Sequence, residues 1–155
     1  MVEPQDMTRW GSGAETHTAY FERQKAKLEQ LIAALFQANE ADDKKLLDGV
    51  ELLLKLTSNI TKSPTESKYR TIRCTIAKIW KTLFALPGGV PELIQALGFV
   101  KVDEEHYVFT GDYFKVLRKG MFMLERAIEP IKVKYMTPED KVKWEQLQES
   151  KRVFQ

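Results

Sequence analysis

Very little in this chain can do covalent chemistry. Among its 155 residues there is a single cysteine, Cys74, and there are two histidines, His17 and His106. One cysteine rules out an internal disulfide, and with it a secreted domain stapled by cross-links. Two histidines far apart in sequence leave almost no raw material for a zinc site. Cys74 has no evident base near it and reads as a small, partly buried residue of a helix rather than a reactive thiol. The two glycine clusters, Gly11-Ser12-Gly13 and Pro87-Gly88-Gly89, follow no strand of a βαβ unit, so they do not read as phosphate cradles. No apolar run approaches the roughly 20 residues that cross a bilayer. The first residues, Met1 to Asp6, lack the basic and apolar regions of a signal peptide. The expectation is a non-enzyme without metal or cofactor, in a reducing compartment, cytosol or nucleus.

The charge is also unassertive. There are 24 basic and 22 acidic residues, for a net +2. That balance argues against a nucleic-acid partner, and no aromatic platform on a sheet is evident to support one. No membrane partner is expected either. Hydrophobic residues at 43% and charged residues at 30% are ordinary for a globular domain with a respectable core.

Helical periodicity is abundant. Residues 1–15, with Pro4, Gly11, Ser12 and Gly13, read as a flexible N-terminal arm. Residues 16–40 read as an N-terminal helix whose Leu28, Leu31, Ile32, Leu35 and Phe36 share one face. After a break at Asn39–Asp42, Leu46, Leu47, Val50, Leu53, Leu54 and Ile60 form the stripe of a second helix. Ser63-Pro64-Thr65-Glu66 has the form of a capping box with proline at the first helical position. It predicts a third helix carrying Tyr69, Ile72, Ile76, Ile79, Trp80 and Leu83 inward. Arg70, Arg73 and Lys81 would then share a cationic face, flanked by Lys68 and Lys78.

Pro87-Gly88-Gly89 predicts a tight turn, and Pro91 to Leu97 a short helix stopped by Gly98. Phe99–Val102 and His106–Phe109 read as a hairpin around the solvated tip Asp103-Glu104-Glu105. Asp112 is the expected cap of a helix carrying Tyr113, Phe114, Leu117, Met121, Leu124 and Ile128, ended by Pro130. Gly120 within it costs about 1 kcal/mol relative to alanine and predicts a close helix crossing. Thr137-Pro138-Glu139-Asp140 opens a last, highly charged helix whose Val142, Trp144 and Leu147 would pack on the bundle. The fold class is mainly α, a helical bundle with one small β-hairpin.

Leu52-Leu53-Leu54 through Asn59-Ile60, the turn at Pro64, Lys68-Tyr69-Arg70-Thr71-Ile72-Arg73, Pro87-Gly88-Gly89 and Leu97-Gly98-Phe99 together resemble a PUB domain. The resemblance spans about Lys45 to Ile128. It divides the chain into the arm, the first helix, a PUB-like domain at 41–130 and a charged helical extension at 131–155. That family occurs in peptide:N-glycanase, in UBX-containing adaptors and in a ubiquitin ligase. What the resemblance implies is a groove that binds the acidic C-terminal tail of the hexameric AAA ATPase valosin-containing protein, in ubiquitin-linked protein quality control and ER-associated degradation.

Carried onto this sequence, the implied peptide-binding residues are Tyr69, Arg70, Arg73, Ile76, Lys78, Ile79, Gly88 and Gly89. Ile76 stands where the family usually has a peptide-binding asparagine, and Ile79 where it usually has phenylalanine. An amide missing from such a groove costs roughly 1–3 kcal/mol if its partner is left unpaired; alternatively, a more apolar groove prefers a different peptide. The other readings are a divergent scaffold with another ligand and a regulatory module of a glycanase-type enzyme.

Overall fold

The computed structural model describes residues 17–111 and 114–153. The expected arm and the expected cap Asp112, with Tyr113, lie outside them. Helix α1 (His17–Ala38) is followed by a 3-10 turn (Glu40–Asp42) and helix α2 (Asp43–Lys62). Asp42 caps α2, its side chain accepting from the Lys45 amide at 3.2 Å. That bond satisfies one of the free N–H groups at the helix start. The stripe Leu46, Leu47, Val50, Leu53 and Ile60 is buried, as its spacing predicts.

Beyond α2 the chain departs from expectation. Ser63 does not open a helix; its amide donates to the Asn59 carbonyl at 3.0 Å and closes α2. A 3-10 turn (Ser67–Arg70) leads into strand β1 (Thr71–Arg73). A short helix α3 (Ala77–Ile79) then passes into a π-turn (Trp80–Phe84). The third helix predicted from Pro64 is therefore replaced over 64–76 by turn and strand. The apolar positions Tyr69, Ile72 and Ile76 fit a helical stripe, but Thr71, Ile72, Thr75 and Ile76 are β-branched and suit a pleated strand better. Strand pairing then satisfies the backbone that a helix would otherwise have paired.

Helix α4 (Val90–Leu97), strands β2 (Phe99–Lys101) and β3 (His106–Phe109), and helices α5 (Lys115–Lys134) and α6 (Pro138–Val153) complete the order. The predicted hairpin is present and is joined by β1 in an antiparallel sheet of order β1-β3-β2. Ile72 faces Tyr107, Val108 stands between Thr71 and Val100, and Phe99 pairs with Phe109. Ile72, Phe99, Tyr107 and Phe109 point to the core and are almost fully buried.

Two glycines mark the close approaches of the bundle. A Cβ at Gly49 would fall 2.7 Å from the Thr82 carbonyl, so α2 lies directly on the π-turn. A Cβ at Gly120 would collide with Leu97 and sit 3.5 Å from Leu28, which is the close crossing predicted for α5.

Pro130 does not end α5, which continues through it to Lys134. Pro130 lies on the exposed side of α5, where the missing N–H removes one intrahelical bond without ending the helix. Thr137 caps α6, accepting from the Asp140 amide at 3.1 Å. On α6, Val142 and Leu147 remain more than half exposed and only Trp144 and Gln148 are half-buried. This helix lies against the bundle far more loosely than its apolar residues imply.

Asp43 clasps the start of α2 to the end of α5. Its carboxylate accepts from Lys134 Nζ at 2.8 Å and from Tyr135 Oη at 2.6 Å. Those bonds, Lys134 first, hold the Asp43 carboxyl below its ordinary 3.8. A carboxyl depressed on folding adds stability above its ordinary pKa and loses it as pH falls through the folded value. The difference in melting temperature between the natural protein and Asp43→Ala is therefore expected at neutral pH and should shrink below pH 3.8. A difference unchanged on acidification would refute the clasp.

The Pro87-Gly88-Gly89 turn is held from behind by α1. Gly88 has φ +104°, and a Cβ there would come within 2.9 Å of both Leu35 Cα and Ala38 Cβ. Gly89, at φ +93°, has only Glu92 Oε1 nearby, at 3.5 Å. Gly88→Ala should cost about 2–4 kcal/mol by strain plus overpacking, and Gly89→Ala about 1 kcal/mol by strain alone. Thermal melts of the two variants check that order.

Candidate functional site

The site begins with a row of large side chains one turn apart. Ile76, Trp80 and Phe84 follow i, i+4, i+8 spacing through α3 and the π-turn. Ile76 is 47% exposed and Trp80 54% exposed. The Trp80 and Phe84 rings stack at 6.5 Å with planes 7° apart, and Phe84 stacks on Tyr107 at 5.5 Å. The row thus runs from open solvent to a buried tyrosine of the central strand.

The π-turn produces this exposure. Ala85 N donates to Trp80 O at 2.8 Å, an i to i+5 bond that widens the helix by one residue. Ile79 and Leu83 face the core on one side while Trp80 and Phe84 stand outward on the other.

Burial pushes the Tyr107 phenol above its ordinary 10.0, against the opposing pull of Lys101. The tyrosine at the base of the row is therefore neutral at physiological pH. Lys78 and Lys81 flank Trp80 in sequence, both exposed. Among the described residues neither has a carboxylate partner. Exposed Ile76 and Trp80, continued by half-buried Phe84 and set beside uncompensated cations, offer a surface suited to contact with a partner.

The residues expected from sequence are not all brought together. Arg73, Ile76 and Lys78 stand exposed where β1 leads into α3. Arg73 lies 3.5 Å from Glu105 in an exposed ion pair. Ile79 is buried beneath the row, and Tyr69 is half-buried at its own turn with Lys68 Nζ 5.4 Å from its ring centroid. Gly89 starts α4, accepting from Leu93 N at 3.0 Å. The side of Gly88 where a side chain would stand is filled by α1.

Arg70 has turned inward to a different task. Its guanidinium donates to the Pro64 carbonyl at 2.9 Å and to the Gly111 carbonyl at 2.7 Å, with Phe109 O at 3.3 Å. The same group lies over the rings of Phe109 and Phe114 at 5.6 and 5.7 Å. The cationic face proposed for Arg70, Arg73 and Lys81 does not form, because these residues belong to a turn, a strand and a π-turn rather than to one helix.

Three residues of the site escape a reading by helical spacing from Pro64. Trp80 reads as inward there, yet it is outward because the helix starts afresh at Ala77 after a turn and a strand rather than running on from Pro64. Phe84 is recoverable as the next member of the i+4 series. Tyr107 is recoverable from the alternation of β3, though its contact with Phe84 is a tertiary fact. The acidic tip of the hairpin is solvated as expected: Asp103 accepts from the Glu105 amide and from His106 Nδ1, both at 2.8 Å. No cluster of metal-ligating side chains occurs among the described residues.

A compact helical bundle, a small sheet and an exposed apolar row define a protein-interaction domain. The chain belongs to the PUB-domain family, whose model matches residues 43–120, half of the chain. It is also similar to Plant UBX domain-containing protein 2 of Arabidopsis thaliana, with 28% identity over 85 residues. That match covers 55% of this chain and 17% of the plant protein's length.

Since Arg70 bonds carbonyls of the protein itself, its removal should act on stability. Arg70→Met is expected to lower stability by about 1–3 kcal/mol, or several degrees in melting temperature. Arg73→Met, losing one exposed pair, should change it by less than about 0.5 kcal/mol. Equal melts for the two would contradict this assignment.

Proposed function

We propose that this protein is a non-catalytic adaptor whose PUB domain captures the acidic C-terminal tail of the AAA ATPase valosin-containing protein. The observation that carries the reading is the row of exposed Ile76 and Trp80 and half-buried Phe84 on Tyr107, beside Lys78 and Lys81, which have no carboxylate partner among the described residues. An acidic tail with a leucine–tyrosine anchor, as the family resemblance implies, matches both halves of that surface. The anchor side chains lie on the apolar row and supply most of the affinity, while the lysines steer the acidic residues. UBX-containing adaptors share this domain, and a UBX domain-containing plant protein is among the relatives.

Ile76 gives the groove a distinctive chemistry. With no amide at that position, recognition there rests on apolar contact rather than on a hydrogen bond. Affinity then depends more on the hydrophobic anchor and less on a polar group of the peptide backbone.

Isothermal titration with a synthetic tail peptide tests the proposal. Binding should weaken between about 50 and 200 mM salt. Trp80→Ala and Arg73→Glu should each weaken it about 5- to 30-fold, equivalent to about 1–2 kcal/mol. Absence of binding at either salt concentration would overturn the tail assignment and give the groove to a different peptide.

A further inference from the structure

Several exposed cations sit beside carboxylates: Lys44 with Asp48, Arg73 with Glu105, Lys101 with Glu104, Lys134 with Asp43 and Arg152 with Glu149. The stretch of α5 from Lys115 to Arg126 is different. Lys115, Arg118, Lys119 and Arg126 have no carboxylate partner among the described residues, and each lies over an aromatic ring instead. Lys115 Nζ is 4.3 Å from the Phe21 ring centroid, and Lys119 and Arg126 cover Phe122 at 5.2 and 5.5 Å. At about 100° per residue, Lys115, Lys119, Phe122 and Arg126 fall within an arc of about 60° and span about 16 Å of helix. The rings hold these charges in place without neutralising them.

Phe122, itself 50% exposed, and Arg126 also form one wall of a groove of about 890 Å³ between α2, α5 and α6. Its apolar lining comes from Leu54, Met121, Met136, Trp144 and Leu147. Glu125, Glu129, Lys132 and Lys151 give the inner rim mixed charge, so the uniformly positive side is the outer face of α5.

We propose that this groove and the cationic stripe beside it dock an acidic amphipathic helix of a partner protein. Its apolar face would enter the groove and its acidic flank would run along Lys115, Lys119 and Arg126. Concavity favours a helix over a bilayer, since Leu54, Met121, Met136 and Trp144 are half-buried between three helices. Nucleic acid would satisfy the cations and leave the apolar side chains of the groove unused. Rings that restrain the cations before binding also lower the ordering cost of recognition.

The test is titration of the full chain with a synthetic helix of about 18 residues, carrying leucines on one face and glutamates along the flank. A peptide of the same composition with scrambled order is the control. The ordered peptide should bind with a dissociation constant on the order of 10 µM, and the scrambled one at least tenfold more weakly. Lys115→Glu, Lys119→Glu and Arg126→Glu combined should weaken binding at least tenfold and flatten its salt dependence. The milder pair Lys119→Gln and Arg126→Gln should weaken it severalfold, which covers the case in which charge reversal prevents folding. Phe122→Ser should also weaken binding while leaving the salt dependence intact. Equal binding of the two peptides, no binding up to about 0.5 mM, or capture of phosphatidylserine vesicles in place of the peptide would each overturn the proposal.

Discussion

The grip of Arg70 on the backbone around it determines much of what this molecule can present. The guanidinium reaches forward to Gly111 and back to Pro64, and it lies on two aromatic rings of the β3 and α5 junction. In doing so it pins the segment after α2 against the end of the sheet. With that segment fixed as a turn, Thr71–Arg73 run as a strand beside β3 rather than as a helix. The chain then leaves the sheet at Cys74, whose amide bonds the Glu105 carbonyl at 2.8 Å, and enters α3 with Ile76 facing out. A charge-assisted bond to a backbone carbonyl is among the stronger local restraints available to a side chain, and here several are concentrated on one group. The apolar row downstream inherits its orientation from it.

How far the sequence discloses this depends on the range of the determining contacts. The stripes of α1 and α2, the glycine stop after α4 and the β2–β3 hairpin are set by neighbours a few residues away, and they read correctly. So does the crossing at Gly120, because a glycine inside an apolar stripe leaves a gap that a side chain of the facing helix can fill, as Leu97 does. The stretch from Pro64 to Ile76 fails because its apolar residues satisfy two periodicities at once, and the contact that decides between them joins Arg70 to Gly111 across 41 residues. Pro130 misleads for a different reason: a proline removes one intrahelical bond and crowds the preceding turn, a local cost that a helix of 20 residues absorbs, and α5 continues through it to Lys134. The family resemblance implies Arg70 and Ile79 as peptide-binding residues; in the structure Arg70 bonds the protein's own backbone, and Ile79 is buried in the core, as its helical spacing predicts. The same spacing turns Trp80 inward, yet it faces solvent.

Two treatments of positive charge coexist on the surface. Where a lysine or arginine has a carboxylate at hand, the pair is exposed and of the kind that adds little to stability. Where it does not, along α5, aromatic rings take the place of the carboxylate. The first arrangement cancels the field and the second preserves it. Around Trp80, lysines stand beside an apolar row with no carboxylate opposite among the described residues. Both regions therefore combine exposed apolar area with a net positive field, although one is built on a π-turn and the other on a regular helix.

The contact between α1 and the Gly88 turn bears on how such a domain has been assembled. The family's model begins at residue 43, after α1 has ended. Yet Leu28, Ile32 and Leu35 of α1 are buried in the common core, and Asn39 just beyond it donates to the Leu35 and Pro87 carbonyls at 2.8 and 2.9 Å. The border of recognisable kinship and the border of the cooperative unit therefore do not coincide. A segment with no family signature closes the back of a turn that does carry one. The turn that the family's model covers is thus closed by a helix the model does not cover, so the integrity of the matched segment depends on chain outside it.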